Sequence, residues 1–173
     1  MAIASCLVDT NILLRVARRS DPQHKLVDDA VAKLALAGTT LHYTHQNIAE
    51  LWNAMTRSAA RNGFGLTVAE AEHEVRVIEA GMSLLADGKA VYQEWRRIVV
   101  QHAVLGVQVH DARLVAAMRV HGVGHILTLN VSDFSGIAES PWYIPVVSRA
   151  CCGAGGRLIC QRVLSRASEL QQT

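Results

Sequence analysis

The chain has 173 residues, half of them apolar, and a formal net charge of +2. That is enough for one domain to bury a core of its own, so neither disulfides nor a structural metal are needed to hold it. The charge is too close to neutral to advertise nucleic-acid binding by itself, although Lys occurs only at 25, 33 and 89 and the other 14 of the 17 basic residues are Arg, which can grip phosphate through two hydrogen bonds.

Residues 3–8, IASCLV, read as a short buried strand that ends on an acid, Asp9. The segment NILLRVARR follows with helical spacing, Asp21-Pro22 marks a turn, and residues 25–37 place Val27, Val31 and Leu34 at helical intervals before Gly38 stops them. A short β-prone stretch covers 39–44. A helix is expected over 46–61, with Ile48, Leu51, Trp52 and Met55 on one stripe and Asn62-Gly63 at its end. Thr67 to Glu70 forms a capping box for a helix reaching about residue 85. Further helices are expected over 87–104 and 111–121, the second closed by Gly122. HILTLN, 125–130, reads as a strand, and WYIPVV, 142–147, as a peripheral one because Pro145 cannot donate to a central ladder.

Strands alternating with helices imply a central, mainly parallel sheet with helices on both faces: an α/β, three-layer α/β/α sandwich. Residues 1–148 are expected to form the domain. Residues 149–173 change character, Gly- and Cys-rich and then polar, and read as a tail with one marginal helix over 157–170. Cys6, Cys151, Cys152 and Cys160 have no zinc-site spacing and suit a reducing, cytoplasmic setting. No basic leader and no run of about 18 apolar residues suggests secretion or a membrane span.

Four acids fall where strands end or helices begin. In an open α/β sheet that edge faces the site. Asp9 ends the first strand, Glu50 lies on the polar face of THQNIAELWNAMTR with Asn47, Asn53 and Arg57, Asp111 opens VHDARLVAAM, and Asp133 follows HILTLN. Each has an architectural explanation: a helix N-cap for Asp9 and Asp111, a solvated helix face for Glu50, an Asx-type turn for Asp133. Those explanations leave the shared placement of all four unaccounted for.

VDTNILL (8–14), QNIAELWNAMTR (46–57), NGFGL (62–66), HDARLVAAM (110–118), HGV (121–123) and LTLNVSDF (127–134) together resemble a PIN-domain protein, specifically a VapC-type toxin ribonuclease of a toxin–antitoxin system. The resemblance spans nearly all of residues 3–147. It implies a PIN-like fold and an acidic quartet, Asp9, Glu50, Asp111 and Asp133, associated with Mg²⁺ or Mn²⁺, with Thr10 and Asn130 at supporting polar positions. Some members of the family carry the fourth acid nearer the strand than Asp133. An RNA substrate, an antitoxin partner and a homodimer are implied in the same way.

Hard divalent cations choose oxygen ligands, and acids crowded together hold their protons above the ordinary range until an ion binds. Arg15, Arg57, Arg61 and Arg113 lie near the motifs and are candidates to offset the acids towards RNA. Trp52 and Trp95 sit on apolar stripes and read as core or interface, and His110 as helix-start packing or a phosphate contact. A phosphatase of the haloacid-dehalogenase kind would need an acid at 11, where Asn11 stands. A phospho-accepting receiver would need a late lysine that is missing. The alternatives that survive are a non-catalytic binding module on the same fold and a nuclease acting on DNA.

Overall fold

The computed structural model describes residues 3–134 and 136–137, together with the backbone of 143–146 and 159–162. Four parallel strands form the sheet: β1 (Ser5–Val8), β2 (Thr40–Thr44), β3 (Ser83–Leu85) and β4 (Ile126–Leu127), in the order β3-β2-β1-β4. The helices are α1 (Thr10–Ala17), α2 (His24–Leu36), α3 (His45–Thr56), α4 (Val68–Gly81), α5 (Lys89–Gln101) and α6 (Gln108–His121).

Side chains of a strand alternate between faces, and β1 divides the core accordingly. Cys6 and Val8 join α1, α2, α3 and α4 through Ile12, Leu13, Val27, Leu34, Leu51, Met55 and Val75. Leu7 joins α5 and α6 on the other side, through Val91, Ile98, Leu114, Val115 and Met118. The expected three-layer α/β/α arrangement with a parallel sheet is therefore present. Among the described residues, no helix is long and apolar enough to cross a membrane.

Several boundaries differ from the expected ones. The helix opened by Thr67 ends at Gly81 rather than near 85, and Ser83–Leu85 instead pairs with β2, from His42↔Ser83 to Thr44↔Leu85. Three residues give too little alternation to announce a strand; the exposed edge of β2 makes them one. The strand expected over 125–130 is continuous only at Ile126–Leu127, with single bridges at His125 and Thr128, and the Thr128 side chain reaches the sheet edge. α6 begins at Gln108, three residues before Asp111, so that acid lies inside the first turn and is not the N-cap. Helix α3 stops at Thr56, and a 3-10 turn, Ala59–Arg61, follows where helix was expected to continue.

The strand expected over 142–147 is present at Tyr143–Val146 (β5). It pairs antiparallel with Ile159–Arg162 (β6), Pro145 opposite Cys160. Extended backbone at 159–162 replaces part of the marginal helix expected over 157–170, whose remaining residues, with Cys151 and Cys152, lie outside the described residues. The segment has a backbone partner in β5, and β pairing satisfies its amides without the amphipathic face a lone helix needs.

NGFGL serves architecture. Asn62 takes a left-handed conformation, φ 61°, and three of the next four residues return to α3 and its C-cap: Phe64 N–H donates to Ala54 O, Gly65 N–H to Arg57 O and Leu66 N–H to Met55 O, all at 2.9 Å. Arg18 lies over the Phe64 ring at 5.1 Å, fastening the end of α1 to the same loop. Gly63 is required by space, because a Cβ there would stand 2.0 Å from the Arg57 carbonyl oxygen. Gly81 meets nothing within 4 Å. Gly63→Ala should therefore lower unfolding free energy by at least about 1–3 kcal/mol in urea titrations, whereas Gly81→Ala, in a helix, should be neutral or stabilising by up to about 1 kcal/mol.

Candidate active site

Asp9 follows β1 in the interior of the sheet. Its backbone N–H donates to Leu127 O at 3.0 Å, extending the ladder with β4, and its carbonyl accepts from Ile12 and Leu13 at the start of α1. The residue occupies the N-cap position of α1, but its side chain makes no cap bond. Its Oδ2 accepts instead from the Thr128 hydroxyl and from Asn11 Nδ2, both at 2.6 Å. Asn11 also donates to Thr128 Oγ1 at 3.0 Å and accepts from Leu129 N–H at 3.2 Å. The carboxylate is turned across the sheet edge towards the end of β4.

Glu50 is gripped at both oxygens. Oε2 accepts from the Thr10 hydroxyl at 2.7 Å and Oε1 from Gln46 Nε2 at 2.8 Å. Thr10 Oγ1 in turn accepts from Asn47 Nδ2 at 3.0 Å. Asn47, fully buried, is one half of the capping box of α3: its Oδ1 accepts from Thr44 N–H at 2.8 Å, and its own N–H donates to Thr44 Oγ1 at 3.2 Å. The ends of β2 and β1, the start of α3 and Glu50 are thus one hydrogen-bonded unit. Gln46 also donates to His110 O at 3.1 Å, which ties α3 to the turn of α6 that carries Asp111.

The four acids act on one another. Asp111 is pushed up to about 7, first by burial and then by the charges of Asp133, Asp9 and Glu50. Burial likewise raises Asp9 above the ordinary carboxylate range, with Glu50 adding to the rise and the Thr128 hydrogen bond opposing it. Positions 9, 50, 111 and 133, far apart in the chain, share one electrostatic neighbourhood. They do not close into a ligand cage: among the described residues, no three His, Cys, Asp or Glu side chains form a group that could hold a metal ion. Asp9 Oδ2 and both Glu50 oxygens are occupied by protein donors. The donor set itself, all carboxylate and crowded, has the chemistry of a hard divalent site.

Of the supporting positions, Thr10 holds Glu50, while Asn130 is exposed and contributes its backbone N–H to Thr128 Oγ1 at 3.0 Å. Thr128, which sequence reasoning passed over, is the hydroxyl that touches Asp9. Gln46 and Asn11 also emerge only from the structure as contacts of the acids, whereas Asn47 was legible on the polar face of Glu50 and the structure adds its bond to Thr10. Of the arginines, Arg15 is bonded to Gln23 and to Asn11 O, Arg57 to Asn62 O, and Arg113 to Asp87; Arg61 is exposed.

The sequence profile of the PIN domain matches residues 6–139. Similar solved structures include VapC20 of Mycobacterium tuberculosis, described as a sarcin-ricin loop cleaving toxin, with a TM-score of 0.55, 15% identity, and cover of 70% of this chain and 86% of that one. VapBC2 of Rickettsia felis, bound to a fragment of promoter DNA, has a TM-score of 0.57 at 13% identity, over 77% of this chain and 92% of that one. A toxin–antitoxin complex from Klebsiella pneumoniae has a TM-score of 0.53 at 17% identity, over 76% and 92%. At these identities the likeness is one of fold. Among curated proteins, none matches the sequence significantly.

In the folded, ion-free chain, Asp111 keeps its proton up to about 7, while in the unfolded chain it releases it near 3.8. The unfolded state therefore binds fewer protons between these values, and stability should fall as pH rises from about 4 to about 7, then level off. Asp111→Asn should flatten that fall and raise the melting temperature at pH 7, read by thermal unfolding in EDTA.

Proposed function

The chain belongs to the PIN domain family, and we propose that it is a divalent-metal-dependent endoribonuclease, the toxin of a toxin–antitoxin pair. The observation that carries this reading is the elevation of Asp111 by burial and then by the charges of Asp133, Asp9 and Glu50: an acid half-buried among three others, without a counter-charge among the groups that shift it. Evolution of a stable fold alone would not assemble that repulsion, whereas a bound cation would relieve it.

Asp9 and Asp111, short side chains at the edge of the sheet, would hold Mg²⁺ or Mn²⁺ most closely, with Glu50 and Asp133 completing the charge, in part through water. Such an ion supplies an activated water and offsets charge on the non-bridging oxygens of an RNA phosphodiester. The chain's own polar residues set the aim. Asn11 and Thr128 fix one oxygen of Asp9, and Thr10 and Gln46 fix Glu50, so that neither acid has to be ordered when substrate arrives.

The solved structures of similar fold include toxins with their antitoxins. By that likeness the partner is an antitoxin whose segment covers the acidic edge, and a second copy packs to give a homodimer. Catalysis is assigned to residues 1–148, and residues 149–173 are left without a role in it.

Purified protein should cleave single-stranded RNA with Mg²⁺ or Mn²⁺ and not in EDTA, and Asp9→Asn and Asp111→Asn should each abolish cleavage. Thr128→Val, which leaves every acid in place, should cost about 10–100-fold in ion affinity or activity. Wild-type activity in both Asn variants would refute the assignment. Cleavage of single-stranded DNA in preference to RNA would redirect it.

A further inference from the structure

The acidic edge repels RNA, so something nearby must attract it, and the arginines close to the motifs are mostly engaged. Arg113 is held by Asp87, Arg97 and Arg119 by Glu94, and Arg15 by Gln23 and a backbone carbonyl. Helix α5 presents a different case. Lys89, Tyr92, Gln93 and Arg96 fall at i, i+3, i+4 and i+7, one exposed stripe along the helix. Neither Lys89 nor Arg96 has an ion-pair partner among the described residues. Lys89 stands in the first turn, where a cation opposes the helix dipole, and no acid accompanies it there. Helix stability therefore does not account for it.

Tyr92, 55% exposed, forms a wall of two shallow cavities. One, about 350 Å³, lies between Tyr92 and the two cations. The other, about 320 Å³, is lined by Gly88, Val91, Tyr92 and Trp95 together with the Asp87–Arg113 ion pair. Tyr92 and Trp95 are tilted at 36° with ring centres 6.0 Å apart. Two rings beside a charged donor and acceptor offer stacking and edge contacts to a planar, polar-edged group.

The cavity and the acids share a support. Trp95 Nε1 donates to Val109 O at 2.9 Å, and Gln46, which holds Glu50, donates to His110 O at 3.1 Å. Asp111 is the next residue. Asp87 lies two residues beyond β3 and Asp9 one beyond β1, so both stand past the carboxyl ends of strands in one parallel sheet.

We propose that the exposed face of α5 is a track for single-stranded RNA, with a base stacked on Tyr92 in the Trp95 cavity and its flanking phosphates held by Lys89 and Arg96. It rests on the reading of the protein as an RNA-cutting enzyme, and it names where the strand outside the scissile bond lies. Unpaired phosphates need unpaired cations, and a stacking platform reads no particular sequence, so the track orients the strand and leaves base choice to other contacts.

The test is binding of a fluorescein-labelled single-stranded RNA decamer to the full chain in EDTA, followed by anisotropy at several salt concentrations. Tyr92→Ala should weaken binding roughly 5- to 150-fold while Tyr92→Phe keeps it, and Lys89→Gln with Arg96→Gln should reduce the salt slope by about 1–2. With Mg²⁺ present, Tyr92→Ala should raise KM for RNA and leave kcat nearly unchanged. Binding by Tyr92→Ala within about twofold of wild type overturns the track, as does a Tyr92→Phe variant that binds as poorly as Tyr92→Ala. A changed oligomeric state in Tyr92→Ala with RNA binding intact overturns it in favour of a protein interface. A chain that binds RNA through Tyr92 but never cleaves it keeps the track and removes the nuclease reading; one that cleaves with an unchanged KM in Tyr92→Ala does the reverse.

Discussion

The pairing of β1 with β4 brings residues more than a hundred positions apart within hydrogen-bond reach, and the candidate site depends on it. The ladder runs from Leu7↔Ile126 through Val8↔Leu127 and ends with the Asp9 N–H on Leu127 O. One residue beyond on each strand, the Asp9 carboxylate meets the Thr128 hydroxyl. Both β1 and β4 are buried, so a slip of register by one residue would move apolar side chains to the wrong face. The core thereby fixes the acid: hydrophobic register on two faces determines where a polar group at the sheet edge stands.

Around that fixed point, polar side chains substitute for bulk water. A buried hydroxyl or amide without a partner is costly, yet Thr10, Thr44, Asn47 and Thr128 are all buried. They are accommodated because each bonds to another member of the network or to a backbone group freed at a strand or helix end. Asn47 shows the economy: one side chain caps α3 and supports the hydroxyl that holds Glu50. Fold stability and site geometry are coupled there, so substitutions at these positions would act on both.

Charge is distributed with the same division of labour. The acids are concentrated at one edge, where burial and mutual repulsion raise Asp111 and Asp9. Most nearby arginines are committed to structural bonds, and Glu94 is drawn below its ordinary range by the side-chain hydrogen bond from Arg97, with Arg119 adding to the effect. Among the described residues, Lys89 and Arg96 of α5, beside the exposed ring of Tyr92, stand outside the ion pairs.

Much of this was legible in the chain itself. Strong helical periodicity in 25–37 and 68–81, the Thr67–Glu70 capping box and the apolar run ending at Asp9 define elements by local chemistry, and the order of the motifs indicates the family. The four acids stand out because polar residues at the ends of apolar runs are visible in one dimension. Other features had no local signal. Ser83–Leu85 and Ile159–Arg162 are strands because neighbouring backbones need partners, Asp111 is inside α6 because that helix starts at Gln108, and Thr128 matters because β4 lies beside β1. Sequence determined which residues could carry charge and which periods could form helices; only the tertiary structure decided which charges feel one another, because Coulomb repulsion and hydrogen bonding depend on distance in space and not along the chain.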